Sequence, residues 1–156
     1  MSSNPQVMQY FPNLLTRAES DALIERMKSI IDTQGWGFWA VELKHTQQFI
    51  GFTGLHEQPA QFSFSPCVEI GWRLDQAYWG QGYAPEAARA ALAFAFGQLK
   101  LDKVVAFTTL ENVKSQRVMH KLNMSKAGEF QHPALAKDHP LSWHVLYQIL
   151  RQDFIY

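Results

Sequence analysis

Apolar residues recur at two spacings along this chain, and the change in spacing outlines its elements. Behind the capping-box pair Thr16 and Glu19, apolar side chains return at helical intervals as far as Gly35, where a glycine can end a helix. This pattern predicts an amphipathic helix over residues 17–34. Short runs rich in aromatic and β-branched residues follow, and they predict strands at residues 38–43, 48–55 and 67–74. Short joins between these strands favour an antiparallel meander.

The second half of the chain alternates helices with strands. An alanine-rich stretch that opens on Pro85 predicts a helix over residues 85–96, and residues 113–122 predict another. Strands are expected at residues 103–109, 125–130 and 143–150. Together the two halves predict an α+β fold, in which helices cover a mixed sheet in three layers.

Length and composition favour one domain that spans residues 1–156. The chain has 156 residues, 47% of them hydrophobic, with no repeat and no linker-like stretch. Cys67 is the only cysteine, so an intrachain disulfide is excluded. The first residues lack the basic and apolar regions of a signal peptide, and we therefore expect a cytoplasmic protein.

The charges exclude several function classes. Fourteen basic and fourteen acidic residues cancel to zero net charge. A nucleic acid or an anionic membrane would be matched by a basic surface, so neither is an expected partner. The six histidines show no metal-ligand spacing, and no metal site is expected.

A Gly-x-Gly pair stands between a predicted strand and a predicted helix. Gly80 and Gly82 let the main chain come close to a ligand, and the first turn of the next helix offers unpaired N–H groups to an anion. Such a pair can also be no more than a tight turn. A Walker loop would end in Gly-Lys-Ser or Gly-Lys-Thr, which is missing, and a dinucleotide fingerprint would have a third glycine where Pro85 stands.

Three segments in order resemble a known family. Residues 68–74, 78–89 and 110–124 read VEIGWRL, YWGQGYAPEAAR and LENVKSQRVMHKLNM. They resemble the GNAT N-acetyltransferase superfamily, specifically its RimJ/RimL-like branch, and the likeness runs from Asn4 to the C-terminus. The resemblance implies the GNAT acyl-CoA N-acyltransferase fold with a V-shaped opening in its sheet. It also implies an enzyme that transfers an acetyl group from acetyl-CoA to a primary amine.

The resemblance implies a set of cofactor-binding residues. The main-chain amides of Gln81, Gly82, Tyr83 and Ala84 would bind the pyrophosphate of acetyl-CoA, although Trp79 stands where the family has Gln or Arg. The pantetheine arm would be bound by the strand that contains Trp72, Arg73 and Leu74, and by Asn112. Gly71 would allow a bulge in that strand. The N–H of Trp72 would stabilise the oxyanion.

Two residues are candidates for the chemistry. Glu69 would serve as the base that deprotonates the acceptor amine if burial raises its pKa, but it can also be an ordinary half-exposed strand carboxylate. By resemblance Ser115 would protonate the departing thiolate, since the position where many relatives have a tyrosine is Met119. Asn112 and Ser115 have a plainer interpretation as part of a helix cap.

The acceptor side carries no readable motif. Four aromatic residues are candidates for an acceptor groove or for the core, namely Phe62, Phe64, Trp36 and Trp39. His144, on the last strand, is a candidate for a position in the cleft. His132 and His139 flank a loop that could line it. The acceptor, a protein N-terminus or a small-molecule amine, stays open. A non-catalytic acyl-CoA-binding module is the alternative function.

The start of the chain departs from the family pattern. Residues 4–11 match a segment that in relatives follows an edge strand, so the first strand is expected to be absent, unless the start codon is mis-assigned. If that strand is absent, the strand that contains Trp39 has an unpaired edge. Such an edge invites pairing with another chain, and a homodimer is one expectation.

Overall fold

The computed structural model describes residues 1–156 and has six strands and three α-helices. All predicted elements are present, and most differ from their predicted bounds by only one or two residues. The second strand runs three residues further than predicted because Gln58 still pairs with Cys67. The elements are α1 Arg17–Gln34, β1 Phe38–Glu42, β2 Phe49–Gln58, β3 Cys67–Leu74, α2 Tyr83–Gly97, β4 Lys103–Thr109, α3 Val113–Lys121, β5 Ser125–Gln131 and β6 Trp143–Leu150.

The strands form one mixed sheet in the order β1-β2-β3-β4-β6-β5. Only β3 and β4 run parallel, and their connection carries α2 across one face of the sheet. All other neighbours are antiparallel. The α+β prediction is confirmed, and β1, which contains Trp39, is an edge strand as expected.

Local signals fix the first helix. The Thr16 hydroxyl accepts a hydrogen bond from the N–H of Glu19, and the Glu19 carboxylate accepts one from the N–H of Thr16. These two bonds are the predicted capping box. Gly35 ends the helix in the left-handed conformation, with a φ of 85°. None of the helices is long and apolar enough to cross a membrane.

The main core lies between one face of the sheet and the pair α2 and α3. Seventeen buried residues form this cluster. Ile70 of β3 packs there with Leu92 of α2 and Met119 of α3. Because side chains alternate along a strand, Glu69 and Arg73 point to the opposite face. That face is covered in part by residues 2–11, of which Val7 and Met8 are buried.

The sheet opens between its two parallel strands. β3 and β4 pair at a single position, Glu69 with Val105, and then diverge towards their carboxyl ends. β4 meanwhile stays paired with β6 along its whole length, and β3 with β2. The divergence gives the V-shaped opening that the resemblance implied.

Candidate active site

A cleft of about 900 Å³ runs through this opening. Nine of the ten predicted site residues line it, and these are Glu69, Trp72, Arg73, Leu74, Gly82, Tyr83, Ala84, Asn112 and Ser115. They come from β3, from the turn before α2 and from the start of α3. The topology therefore brings together three segments that are separate in sequence. The tenth, Gln81, is exposed beside the cleft.

Residues 80–84, called the glycine turn below, present a run of free main-chain donors. No protein group accepts a hydrogen bond from the N–H groups of these five residues. Gly80 and Gly82 have φ angles of 74° and 86°, which L side chains rarely adopt. A Cβ at either position would meet open space, so the glycines are needed for backbone conformation. Consecutive N–H groups at a helix N-terminus form an anion-binding site.

Trp79 has a different role from the Gln or Arg of the family pattern. Its indole N–H donates to the carbonyl oxygen of Leu74 at 3.0 Å, which ties the glycine turn to the end of β3. The Lys114 ammonium lies 4.4 Å above the Trp79 ring, within cation–π range. The side chain of Gln81 turns away and donates to the carbonyl of Ala77. Gln81 thus offers the cleft only its main-chain N–H.

The donors of β3 alternate in direction. The N–H of Asp75 donates to the carbonyl of Ile50 on β2, and in an antiparallel ladder the direction reverses at each residue. The N–H groups of Leu74 and Trp72 therefore point into the opening, and that of Arg73 points to β2. The prediction for Trp72 and Leu74 fits this geometry. The N–H of Arg73 points away from the opening, so the prediction that Arg73 binds the cofactor does not fit its main chain. Only the Arg73 side chain faces the cleft.

The expected bulge at Gly71 does not disturb the pairing with β2. The register runs without a shift from Cys67 to Leu74. Glycine has another purpose here, because a Cβ at position 71 would lie 3.1 Å from the Phe38 ring. The opening arises from the divergence of β3 and β4 instead.

Glu69 lies where β3 and β4 separate. Burial raises the pKa of its carboxyl from 4.5 to about 7, against a smaller opposing effect from a hydrogen bond. That bond comes from the Gln58 amide, which donates to the carboxylate at 2.9 Å. Glu69 is the only carboxylate among the residues that line the cleft. A carboxyl with this pKa can accept and release a proton near neutral pH.

Asn112 and Ser115 form the helix cap that their spacing predicted. The Asn112 carbonyl oxygen accepts from the N–H of Ser115 at 3.2 Å. The Asn112 amide donates to the Ser115 hydroxyl oxygen at 3.1 Å and to the Thr108 hydroxyl oxygen at 2.9 Å. Because the Ser115 oxygen accepts, its own proton stays available to a group in the cleft. Met119 is buried in the core.

Side chains from distant segments complete the cleft. Phe107 of β4 lines it together with His132 and His144, and residues 9–12 line it near Arg73. Burial lowers the pKa of both histidines, so their rings are neutral at pH 7. Of the four predicted aromatic residues, Phe62 and Phe64 stack against each other and pack on Phe107, just behind the lining. Trp36 and Trp39 belong instead to the main core, and His139 does not line the cleft.

A row of cations on α3 escaped the sequence analysis. Lys114, Arg117 and Lys121 all line the cleft. Their spacing of three and four residues places them on one helix face, and this signal was readable in the sequence.

Cys67 lies outside the cleft. It lines a smaller cavity with Glu57 and Lys103. Burial, and to a lesser degree the charge of Glu69, raise the pKa of its thiol, so the thiol is protonated at neutral pH. This argues against a cysteine nucleophile.

Comparisons with known proteins place the chain in a family. The sequence model of the family described as "Acetyltransferase (GNAT) domain" matches residues 1–125. "Uncharacterized protein YkkB" of Bacillus subtilis (strain 168) is 31% identical over 122 residues, which are 78% of this chain and 70% of the relative. "Uncharacterized N-acetyltransferase YnaD" of the same organism is 29% identical over 131 residues, 83% and 72% of the two chains.

A solved structure extends the likeness to the fold. The acetyltransferase (GNAT family) from Bacillus anthracis superimposes with a TM-score of 0.80 and 27% identity, covering 97% of this chain and 85% of that one. The family match spans most of the sequence, and the same segments carry the opening and the glycine turn. The chain therefore belongs to the GNAT family of acetyltransferases, enzymes that transfer an acetyl group from acetyl-CoA to amines.

Proposed function

We propose that the protein acetylates a primary amine by direct attack on acetyl-CoA within a ternary complex, with no covalent enzyme intermediate. The observation that carries the proposal is the arrangement of a single cleft. Free main-chain donors of the glycine turn lie at one end, and the carboxyl of Glu69 lies where β3 and β4 separate. The acceptor is a protein N-terminus or a small-molecule amine.

The diphosphate of acetyl-CoA would bind the N–H groups of Gln81, Gly82, Tyr83 and Ala84. These donors have no competing protein acceptor, and the positive end of the α2 dipole lies behind them. Lys114, Arg117 and Lys121 line the same cleft and add positive charge for the phosphates. The pantetheine arm would follow the outward N–H groups of β3 and the Asn112 amide.

Glu69 would take a proton from the acceptor ammonium and pass it to solvent. The neutral nitrogen then attacks the thioester carbonyl carbon, forming the C–N bond, and the N–H of Trp72 stabilises the oxygen that becomes negative. When the C–S bond breaks, Ser115 gives its hydroxyl proton to the sulfur, and the nitrogen loses its second proton, which restores the serine. The products are the amide, CoA and one released proton.

Ser115 has a specific expected phenotype. Ser115→Ala should lower kcat about tenfold and leave the Kd for CoA nearly unchanged, since the variant keeps the main-chain cap but loses the proton donor. Ser125→Ala, on an exposed part of β5, is the matched control. Equal kcat values for Ser115→Ala and the parent protein would remove Ser115 from the mechanism.

The experiment that tests the proposal is a thiol-release screen of acetyl-CoA against a panel of amines and short peptides. Amine-dependent release of CoA, with a mass increase of one acetyl group on the acceptor, is the expected result. Tight CoA binding without release for any acceptor would favour the non-catalytic acyl-CoA-binding module.

A further inference from the structure

Arg73 is a cation inside the cleft without a protein counterion. Its guanidinium makes no ion pair, and its buried Nε has no hydrogen-bond partner. Its one polar contact is a 3.4 Å hydrogen bond from Nη1 to the hydroxyl of Ser2. The only carboxylate that lines the cleft, Glu69, is hydrogen-bonded to Gln58 instead. The half-buried guanidinium therefore faces the cleft with a positive charge that no protein group neutralises.

The surroundings of Arg73 hold it in place without neutralising it. The guanidinium carbon lies 4.4 Å from the centre of the Phe11 ring and 5.2 Å from that of Phe52. Burial lowers the pKa of Arg73 to about 10, which still leaves the side chain charged at neutral pH. Aromatic faces orient a guanidinium but leave its in-plane N–H groups free, and a carboxylate matches these groups with two parallel hydrogen bonds.

Arg73 also lies on the same side of β3 as Glu69. The two residues are four positions apart, so their Cα atoms are about 13 Å apart along the strand. Between them on this face the ring of Phe38 covers Gly71, and Phe38, Glu69 and Arg73 line the same cleft. An acceptor whose amine is at Glu69 can therefore pass over the Phe38 ring towards Arg73.

We propose that Arg73 binds a carboxylate of the acceptor, several bonds away from the amine that is acetylated. This inference rests on the proposed function, because it assumes an amine acceptor at Glu69. It names the substrate class as amines with a distant carboxylate, such as ω-amino acids and short peptides. It disfavours diamines, whose second positive charge would face the guanidinium.

Three probes with the same six-carbon chain test this proposal. They are 6-aminohexanoate, 6-aminohexanamide and 1,6-diaminohexane, which differ only in the charge of the far end. We expect kcat/KM of the parent protein to be at least about tenfold higher for the carboxylate than for the amide, with the diamine poorest. In Arg73→Met, which keeps an apolar stem against Phe11 and Phe52, the carboxylate preference should disappear. Arg73→Lys should keep part of it.

Arg26→Met, on the exposed surface of α1, is the control and should keep the parent preference. A parent protein that accepts the three probes equally, or an Arg73→Met variant that slows all three by the same factor, would overturn the inference. The second result would mean that Arg73 only holds residues 2–11 against the sheet.

Binding gives a readout that does not depend on turnover. Calorimetry with the CoA-bound protein should detect 6-aminohexanoate more tightly than 6-aminohexanamide, and Arg73→Met should abolish the difference. Absence of that difference in the parent protein overturns the inference even if all three probes are inert. Failure of the proposed function looks different, as no amine in the wider screen would then release CoA.

Discussion

The two halves of the cleft are made from different parts of the chain. The half assigned to the cofactor is built around main-chain N–H groups of one continuous turn, residues 80–84. The half assigned to the acceptor consists of side chains from separate elements, among them Glu69 and Arg73 on β3, Phe11 near the N-terminus and His132 after β5. A main-chain site depends on backbone conformation rather than on the identity of neighbouring side chains such as Trp79. A side-chain site changes its ligand when one residue changes.

Removing the carboxylate of Glu69 should separate the two halves most clearly. We expect Glu69→Gln to lower kcat by about 100-fold or more, because the acceptor ammonium loses its base, while CoA affinity stays unchanged. The parent kcat/KM should rise with pH through about 7, where Glu69 ionises, and the variant should lack this rise. Glu57→Gln, at an exposed position on β2, is the control. The same pH-dependent rise in Glu69→Gln would contradict the assignment.

The same substitution should stabilise the fold at high pH. The folded-state pKa of Glu69 is about 7 and its usual value is 4.5, so between these values the folded protein binds more protons than the unfolded chain. Stability therefore falls as pH rises through this window. At pH 8, Glu69→Gln should raise the free energy of unfolding by on the order of 1–3 kcal/mol. Urea denaturation should show that this gain in the free energy of unfolding shrinks towards pH 4.5. An equal gain at all pH values would contradict burial of the Glu69 carboxylate as its cause.

A smaller effect is expected in the cofactor half. Gly82→Ala places a side chain at a φ of 86°, and the strained turn should shift its N–H groups and raise the Kd for CoA about tenfold. Gly97→Ala, in the last turn of α2 and without close neighbours, is a matched control and should bind CoA as the parent does. Equal affinities of the two variants would mean that the conformation of the glycine turn does not govern CoA binding.

The local structure around the cofactor half could be predicted because its determinants are close in sequence. The helical spacing after Thr16, the strand runs and the Gly80-x-Gly82 pair each depend on neighbouring residues, and all appear where they were expected. The cap formed by Asn112 and Ser115 is also local. The largest difference in bounds is at the end of β2, where pairing of Gln58 with Cys67 on another strand decides it.

The acceptor half could be predicted only in part, because some of its determinants are distant in sequence. The direction of the Arg73 side chain depends on strand parity and on Phe11, which lies 62 residues earlier. His132 and His144 were candidates for the cleft and do line it, and the pairing of β5 with β6 brings them together there. The expected bulge at Gly71 was wrong in the same way, since the ring of Phe38 on another strand explains the glycine. Periodicity carries no information on such contacts.

The central claim is that main-chain nitrogens of the glycine turn bind the diphosphate of CoA. Amide NMR shifts of residues 80–84, followed during titration with CoA and separately with pantetheine, test it most directly. The account predicts large shifts of these amides with CoA and small ones with pantetheine, which lacks the diphosphate. Unchanged amide shifts with CoA, or equal changes with both compounds, would contradict it.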